Sequence, residues 1–232
     1  YGAIKLLNLC EINTPKYFFS VSTDKAANPV NIMGASKSLM EKLILSKKDQ
    51  FRVSTARFAN VAFSNGSLLD GFIYRLNKKQ PLSCPEDIKR FFVTPEQSGQ
   101  ICLLATFLGE TGNIFFPKLD FHKDQIYFKE IALDFLKDNG LEPELVKTEK
   151  EAKEFDFDKK PTKYPIYFFK TDTSGEKTYE EFFTEDEDYD INKYDSLGFI
   201  KTLDIKISFE DVESDFENVF KNSNSNKSDI VT

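Results

Sequence analysis

Apolar positions along the chain follow two rhythms: short continuous runs, and recurrences every three or four residues. Tyr17-Phe18-Phe19-Ser20-Val21 is a run of the first kind and predicts a buried strand. Residues 51–58 alternate and predict the next strand. Between them Met33, Lys37, Met40 and Ile44 share one side of a helix over 29–48, with Asn28 as its N-cap and Pro29 in its first turn. Apolar residues at 3, 4, 6, 7 and 9 place residues 1–12 in an amphipathic helix. Further helices are predicted over 68–79, 95–108, 124–138 and 209–220, and strands over 89–94, 112–117 and 164–169. The charged stretch 149–163 and the acidic run 180–190 are expected to face solvent. Residues 222–228 read as a polar linker.

Strands alternating with helices indicate an α/β chain. The first strand delivers Ser22, Thr23, Asp24 and Lys25 to its carboxyl end, and the helix that follows carries Met33 and Lys37. In open α/β sheets that end is where ligands sit. No Gly-x-x-Gly-x-x-Gly occurs, although a dinucleotide-binding half needs that turn so the backbone can approach a pyrophosphate. The chain therefore reads as the second half of a Rossmann-like doubly wound parallel sheet with a smaller α/β substrate-binding domain, and a glycine-rich half is expected ahead of Tyr1.

The stretch Val21-Ser-Thr-Asp-Lys-Ala-Ala-Asn-Pro-Val-Asn-Ile-Met-Gly-Ala-Ser-Lys37 carries a resemblance. A strand-end Ser/Thr followed by Tyr-x-x-x-Lys marks the extended short-chain dehydrogenase/reductases. Thr23-Asp24-Lys25 with the following Ala-Ala-Asn-Pro-Val-Asn and Gly-Ala-Ser-Lys resembles the inverting UDP-N-acetylglucosamine 4,6-dehydratases and their capsule and O-antigen relatives. Met33 stands where the superfamily has its tyrosine, and larger members of the dehydratase group resemble this chain in that respect. Arg57-Phe58-Ala59-Asn60-Val61 with Gly66-Ser67, and Arg90-Phe91-Phe92, resemble the group's substrate-diphosphate segments.

The resemblance implies NAD or NADP as cofactor, a UDP-sugar as substrate, and a reaction of C4 oxidation, loss of water across C5–C6 and hydride return. It assigns Thr23, Asp24, Lys25, Met33 and Lys37 to the catalytic set, and Ser22 and Lys37 to the cofactor. Thr23, Asn60, Ser67 and Arg90 are assigned to the substrate, with Ser67 also suited to a helix N-cap. An arginine fork suits phosphate oxygens. Lys25 would take the C5 proton and Asp24 would serve in proton delivery. A thioether cannot accept the 4-hydroxyl proton, so Asp24, Thr23 with Lys37, or a water must do so. Residues 1–66 fall in the cofactor domain with 95–117 packing alongside. Residues 67–94 and 118–200 form the nucleotide-sugar-binding region, and 201–232 an acidic helix and linker. The run 171–177 has loop chemistry without an assigned role. A homo-oligomer is compatible with the resemblance.

Composition narrows the alternatives. Residues 1–140 carry 18 bases against 14 acids, and residues 141–232 carry 13 against 24, so the positive half is the one expected to meet a diphosphate. No basic run with interleaved aromatics points to nucleic acid. His122 is the single histidine, and Cys10, Cys84 and Cys102 are widely spaced, which argues against a metal site or a disulfide frame and for reduced, cytoplasmic thiols. No signal peptide or long apolar span appears in the sequence, while membrane attachment through further segments stays open. Two rivals remain: a UDP-sugar 4-epimerase or other redox enzyme of the same fold, and a non-catalytic nucleotide-sugar-binding protein.

Overall fold

A computed structural model describes residues 2–171, 180–202, 205 and 207–221. They form two compact units that interleave along the chain. The first gathers the described residues of Tyr1–Ala59, Glu96–Lys118 and Gly175–Thr232, the second those of Asn60–Pro95 and Leu119–Ser174.

The chain opens with α1 (Gly2–Ile12), β1 (Phe18–Thr23), a 3-10 turn over Asp24–Ala26, α2 (Ile32–Leu45) and β2 (Val53–Phe58). Next come β3 (Asn60–Val61), α3 (Leu68–Asn77), β4 (Leu82–Pro85) and β5 (Lys89–Val93) of the second unit. α4 (Pro95–Phe107) and β6 (Asn113–Pro117) resume the first. β7 (Gln125–Tyr127), α5 (Phe128–Asp138), β8 (Glu142–Val146), α6 (Glu149–Lys153) and β9 (Lys163–Phe169) complete the second. β10 (Tyr189–Asp190), β11 (Leu197–Lys201) and α7 (Phe209–Lys221) belong to the first.

The first unit is built on a sheet in the order β1-β2-β6-β11-β10. β1 runs parallel to β2 in an unbroken register from Phe18 opposite Val53 to Thr23 opposite Phe58, and β2 runs parallel to β6. Parallel neighbours need a crossover, which α2 supplies between β1 and β2. All six residues of β2 are buried, as befits a central strand covered on both faces. β11 then joins β6 antiparallel, so the sheet is mixed rather than wholly parallel. A Cβ at Gly198 would lie 2.3 Å from the Phe116 ring, so glycine is what allows β11 to close over that side chain.

The second unit has two three-stranded sheets, β3-β5-β7 and β4-β9-β8. Leu69 and Phe72 of α3 and Ala132 and Leu136 of α5 cover one face of the second sheet, packing on Leu82, Cys84, Tyr164 and Ile166. Burial pushes the Cys84 thiol up to about 12, which leaves it inert at neutral pH.

Several expectations need correction. α2 starts at Ile32, capped by the Asn31 side chain, which accepts from the Gly34 N–H at 2.9 Å; Asn28 and Pro29 lie before the helix. Asn28 and Asn31 are equally good caps by type, and the close seat of Gly34 on the preceding turn selects the second. The stretch 149–163 contains α6, where Thr148 caps the helix and Ala152 is buried. α5 starts at Phe128 because residues 125–127 pair with β5 instead. The crossing between units falls at Asn60, since Asn60-Val61 pairs with Phe92-Val93. Residues 180–200 fold with the first unit. The loop run beyond Thr171 to Lys177 and the linker 222–228 lie outside the described residues. Among the described residues, no helix is long and apolar enough to cross a membrane.

Candidate active site

β1 ends at Thr23, and the chain tightens at once into the turn Asp24–Ala26. Thr23 caps that turn: its Oγ1 accepts from the Lys25 N–H at 3.5 Å, while its hydroxyl donates to Asp24 Oδ1 at 2.6 Å. Lys25 Nζ lies 3.2 and 3.4 Å from the two Asp24 carboxylate oxygens. Asp24 is 3% exposed, so two donors offset the desolvation of its carboxylate. Hydroxyl, carboxylate and amine thus form one connected cluster at a strand's carboxyl end, where an α/β sheet presents its ligand groups.

α2 fixes this cluster through backbone packing. A Cβ on Gly34 would sit 2.5 Å from the Lys25 carbonyl oxygen and 3.3 Å from Pro29. Gly34→Ala is therefore expected to cost about 1–3 kcal/mol through overpacking and to displace the Lys25 turn. Urea unfolding measures the first effect; unchanged stability would mean that the helix can shift away at no cost. Met33 is 46% exposed, so it is not core filler, and half-buried Lys37 follows one turn later. Ser22 Oγ is buried without a hydrogen-bond partner among the described residues.

Behind the turn, Arg57 of β2 is buried and held by two carboxylates. Its Nη2 lies 2.8 Å from Glu41 Oε2 and 2.8 Å from Glu187 Oε1, and its Nη1 donates to Glu187 Oε2 at 2.8 Å and to the Phe182 carbonyl at 2.9 Å. Burial alone would lower the Arg57 pKa, but hydrogen bonds to Glu187 and Glu41 outweigh it and hold the value above normal. This corrects the expectation of a solvated run at 180–190 in part: Glu185, Asp186 and Asp188 face solvent, but Glu180 and Phe182 do not. Glu180 is 3% exposed, Phe182 stacks on Phe116 with centroids 6.1 Å apart, and Glu187 is the Arg57 partner. Acidic composition hid two anchoring acids, Glu180 against the partly exposed Lys25 and Glu187 against the buried Arg57, while Glu185, Asp186 and Asp188 stay exposed.

The second unit carries Asn60, Ser67 and Arg90. The Asn60 amide donates to the Phe91 carbonyl at 3.2 Å, tying β3 to β5. Ser67 caps α3, its Oγ accepting from the Asp70 N–H at 3.2 Å. Arg90 is buried, and its Nη1 donates to the Lys89 carbonyl at 2.7 Å. Among the described residues, no group of three or more His, Cys, Asp or Glu side chains could hold a metal ion.

Gly34, Glu41, Arg57, Glu180 and Glu187 had no assigned role from sequence. Glu41 lies four residues after Lys37 on the same helix, a spacing that suggests a pair with Lys37 and not the observed one with Arg57.

Known proteins agree with this architecture. A Methanocaldococcus jannaschii protein described as an uncharacterized membrane protein is 28% identical over 84% of this chain and 55% of its own length. UDP-glucose 4-epimerase of Rickettsia bellii is 35% identical over 50% of this chain and 36% of its own. The chain thus spans about half, or less, of these curated relatives. The NAD-bound crystal structure of DesIV, a dTDP-glucose 4,6-dehydratase from Streptomyces venezuelae, superposes with a TM-score of 0.55 at 15% identity, over 78% of this chain and 55% of that one. That likeness shows a shared Rossmann-like fold. Residues 1–202 match the family model described as "Polysaccharide biosynthesis protein", and the chain belongs to that family.

Proposed function

We propose that this chain is the sugar-handling half of a nucleotide-sugar 4,6-dehydratase that acts on a UDP-N-acetylhexosamine in surface polysaccharide biosynthesis. The observation that carries the reading is the connected Thr23–Asp24–Lys25 cluster at the end of β1. Elimination across C5–C6 needs a base and an acid at adjacent carbons, and the cluster supplies one group of each kind.

NAD or NADP suits the site because Ser22 offers a buried hydroxyl that lacks a protein partner, with Lys37 assigned to the ribose. When bound, the nicotinamide supplies reversible two-electron oxidation of the sugar. Lys25 takes the C5 proton, which the neighbouring C4 ketone makes acidic by delocalising the resulting carbanion. Asp24, 3.2 Å away, serves the departing C6 hydroxyl with a single proton, taken either from Lys25, which must shed it beforehand, or from the 4-hydroxyl, in which case Lys25 loses its own to water. Thr23 orients Asp24 through its 2.6 Å hydrogen bond. The thioether of Met33 accepts no proton, so the 4-hydroxyl proton passes to Asp24, to Thr23 with Lys37, or to water. Asn60, Ser67 and Arg90 are assigned to the substrate.

The identity with a UDP-glucose 4-epimerase favours a second reading, oxidation at C4 followed by return to the opposite face. Product mass separates the two. With this chain joined to a dinucleotide-binding half and supplied with NAD and UDP-N-acetylglucosamine, the expected product is lighter by one water. A C4 epimer of unchanged mass would establish the epimerase. Sugar binding without turnover would leave a non-catalytic binding protein.

A further inference from the structure

We propose that Glu180 is a positioning residue for Lys25, and that the acidic segment it begins serves as a strap across the catalytic turn. The inference rests on the assignment of Lys25 as the C5 base. Glu180 Oε1 lies 3.9 Å from Lys25 Nζ, and Asp24 holds the same nitrogen at 3.2 Å. Both carboxylates are almost fully buried, whereas the Lys25 side chain is 30% exposed. The amine therefore leans between two fixed anions with one side open.

The neighbouring contacts give the strap its anchors. Asn28, just past the turn, donates to Glu181 Oε2 at 3.2 Å. Phe182 is buried on Phe116, its carbonyl accepts from Arg57, and Glu187 accepts two further Arg57 bonds. Glu180 and Glu181 thus touch the turn while Phe182 and Glu187 fasten the segment to β2. A lysine has among the largest rotamer freedoms of any side chain, and a single carboxylate on the adjacent residue cannot fix its direction. The second carboxylate, borne by an independently anchored segment, restricts the amine to a narrow range of positions. Proton transfer at carbon is sensitive to such placement.

The test compares Glu180→Gln, Lys25→Met and the double variant in the enzyme joined to its dinucleotide-binding half, following solvent deuterium entering C5 and, separately, C4 oxidation. Glu180→Gln is expected to slow C5 exchange at least tenfold while leaving C4 oxidation and the KM for the sugar within about twofold. On the Lys25→Met background it should slow the residual exchange no further, because a residue that acts through Lys25 has nothing left to position. It should also raise the melting temperature of Lys25→Met, by relieving two buried carboxylates of their mutual repulsion. If Glu180→Gln does not fold, Glu180→Asp withdraws the carboxylate by one methylene and should slow exchange at least threefold at an unchanged melting temperature. Normal exchange in the Glu180 variants beside lost exchange in Lys25→Met would overturn the positioning role alone. Normal exchange in Lys25→Met would overturn the base assignment itself, and the inference with it.

Discussion

Lys25→Met is expected to stop the reaction after its first stage. In a single turnover the absorbance of reduced cofactor should rise and persist, a 4-keto sugar should accumulate, and deuterium from heavy water should enter C5 only at a residual rate. Loss of a positioned base costs about 10²–10⁴ in rate, and methionine keeps most of the lysine's length and packing. Oxidation at C4 should survive at least in part, because the two steps draw on different groups. Asp24→Asn should instead slow departure of the C6 hydroxyl, and oxidation as well if Asp24 covers for the absent phenol at Met33. The cluster geometry motivates this separation: Lys25 Nζ and Thr23 Oγ1 both meet Asp24 Oδ1, so Asp24 is the shared member. If Lys25→Met retained near-normal dehydration, the turn would be structural only.

Arg57→Met should have the largest effect on stability. Glu41 is 2% exposed and shares three of the Arg57 hydrogen bonds; Glu187 accepts two more, and the Phe182 carbonyl another. Removing the guanidinium leaves a buried carboxylate without its cation, which costs about 3–5 kcal/mol. That loss corresponds to a fall in melting temperature on the order of 10 °C for a chain of this size. Adding Glu41→Gln should recover part of it, because the stranded charge is then gone. A double-mutant cycle by urea unfolding checks both statements. Additive losses would mean that Arg57 and Glu41 stabilise the fold independently despite their contact.

Glu41 and Arg57 also mark the boundary between what pattern reveals and what it conceals. The strand–turn–helix between Phe18 and Leu45, the position of β2 and the cap at Ser67 were legible because each depends on neighbours in sequence: apolar runs and alternation, periodic apolar positions, and a side chain that reaches a backbone group three residues away. That Thr23, Asp24 and Lys25 touch one another follows for the same reason, since the three are consecutive. β11 was not, because a five-residue strand with a glycine at its second position has little signal of its own. It exists through its pairing with β6, about 80 residues earlier in sequence, and through a glycine that yields to Phe116.

The run 180–190 shows the limit most plainly. By composition it is seven acids in eleven residues, and nothing local separates a solvated run from one that is folded inward. The difference lies in Lys25, Asn28 and Arg57, more than 120 residues away along the chain, which meet Glu180, Glu181 and Glu187 once β2 and the turn are in place. Local free energies, which sequence displays, selected the elements and the chemistry of the turn. Long-range desolvation and charge pairing, which only the assembled structure brings to bear, decided which acids are buried and what holds Lys25 in place.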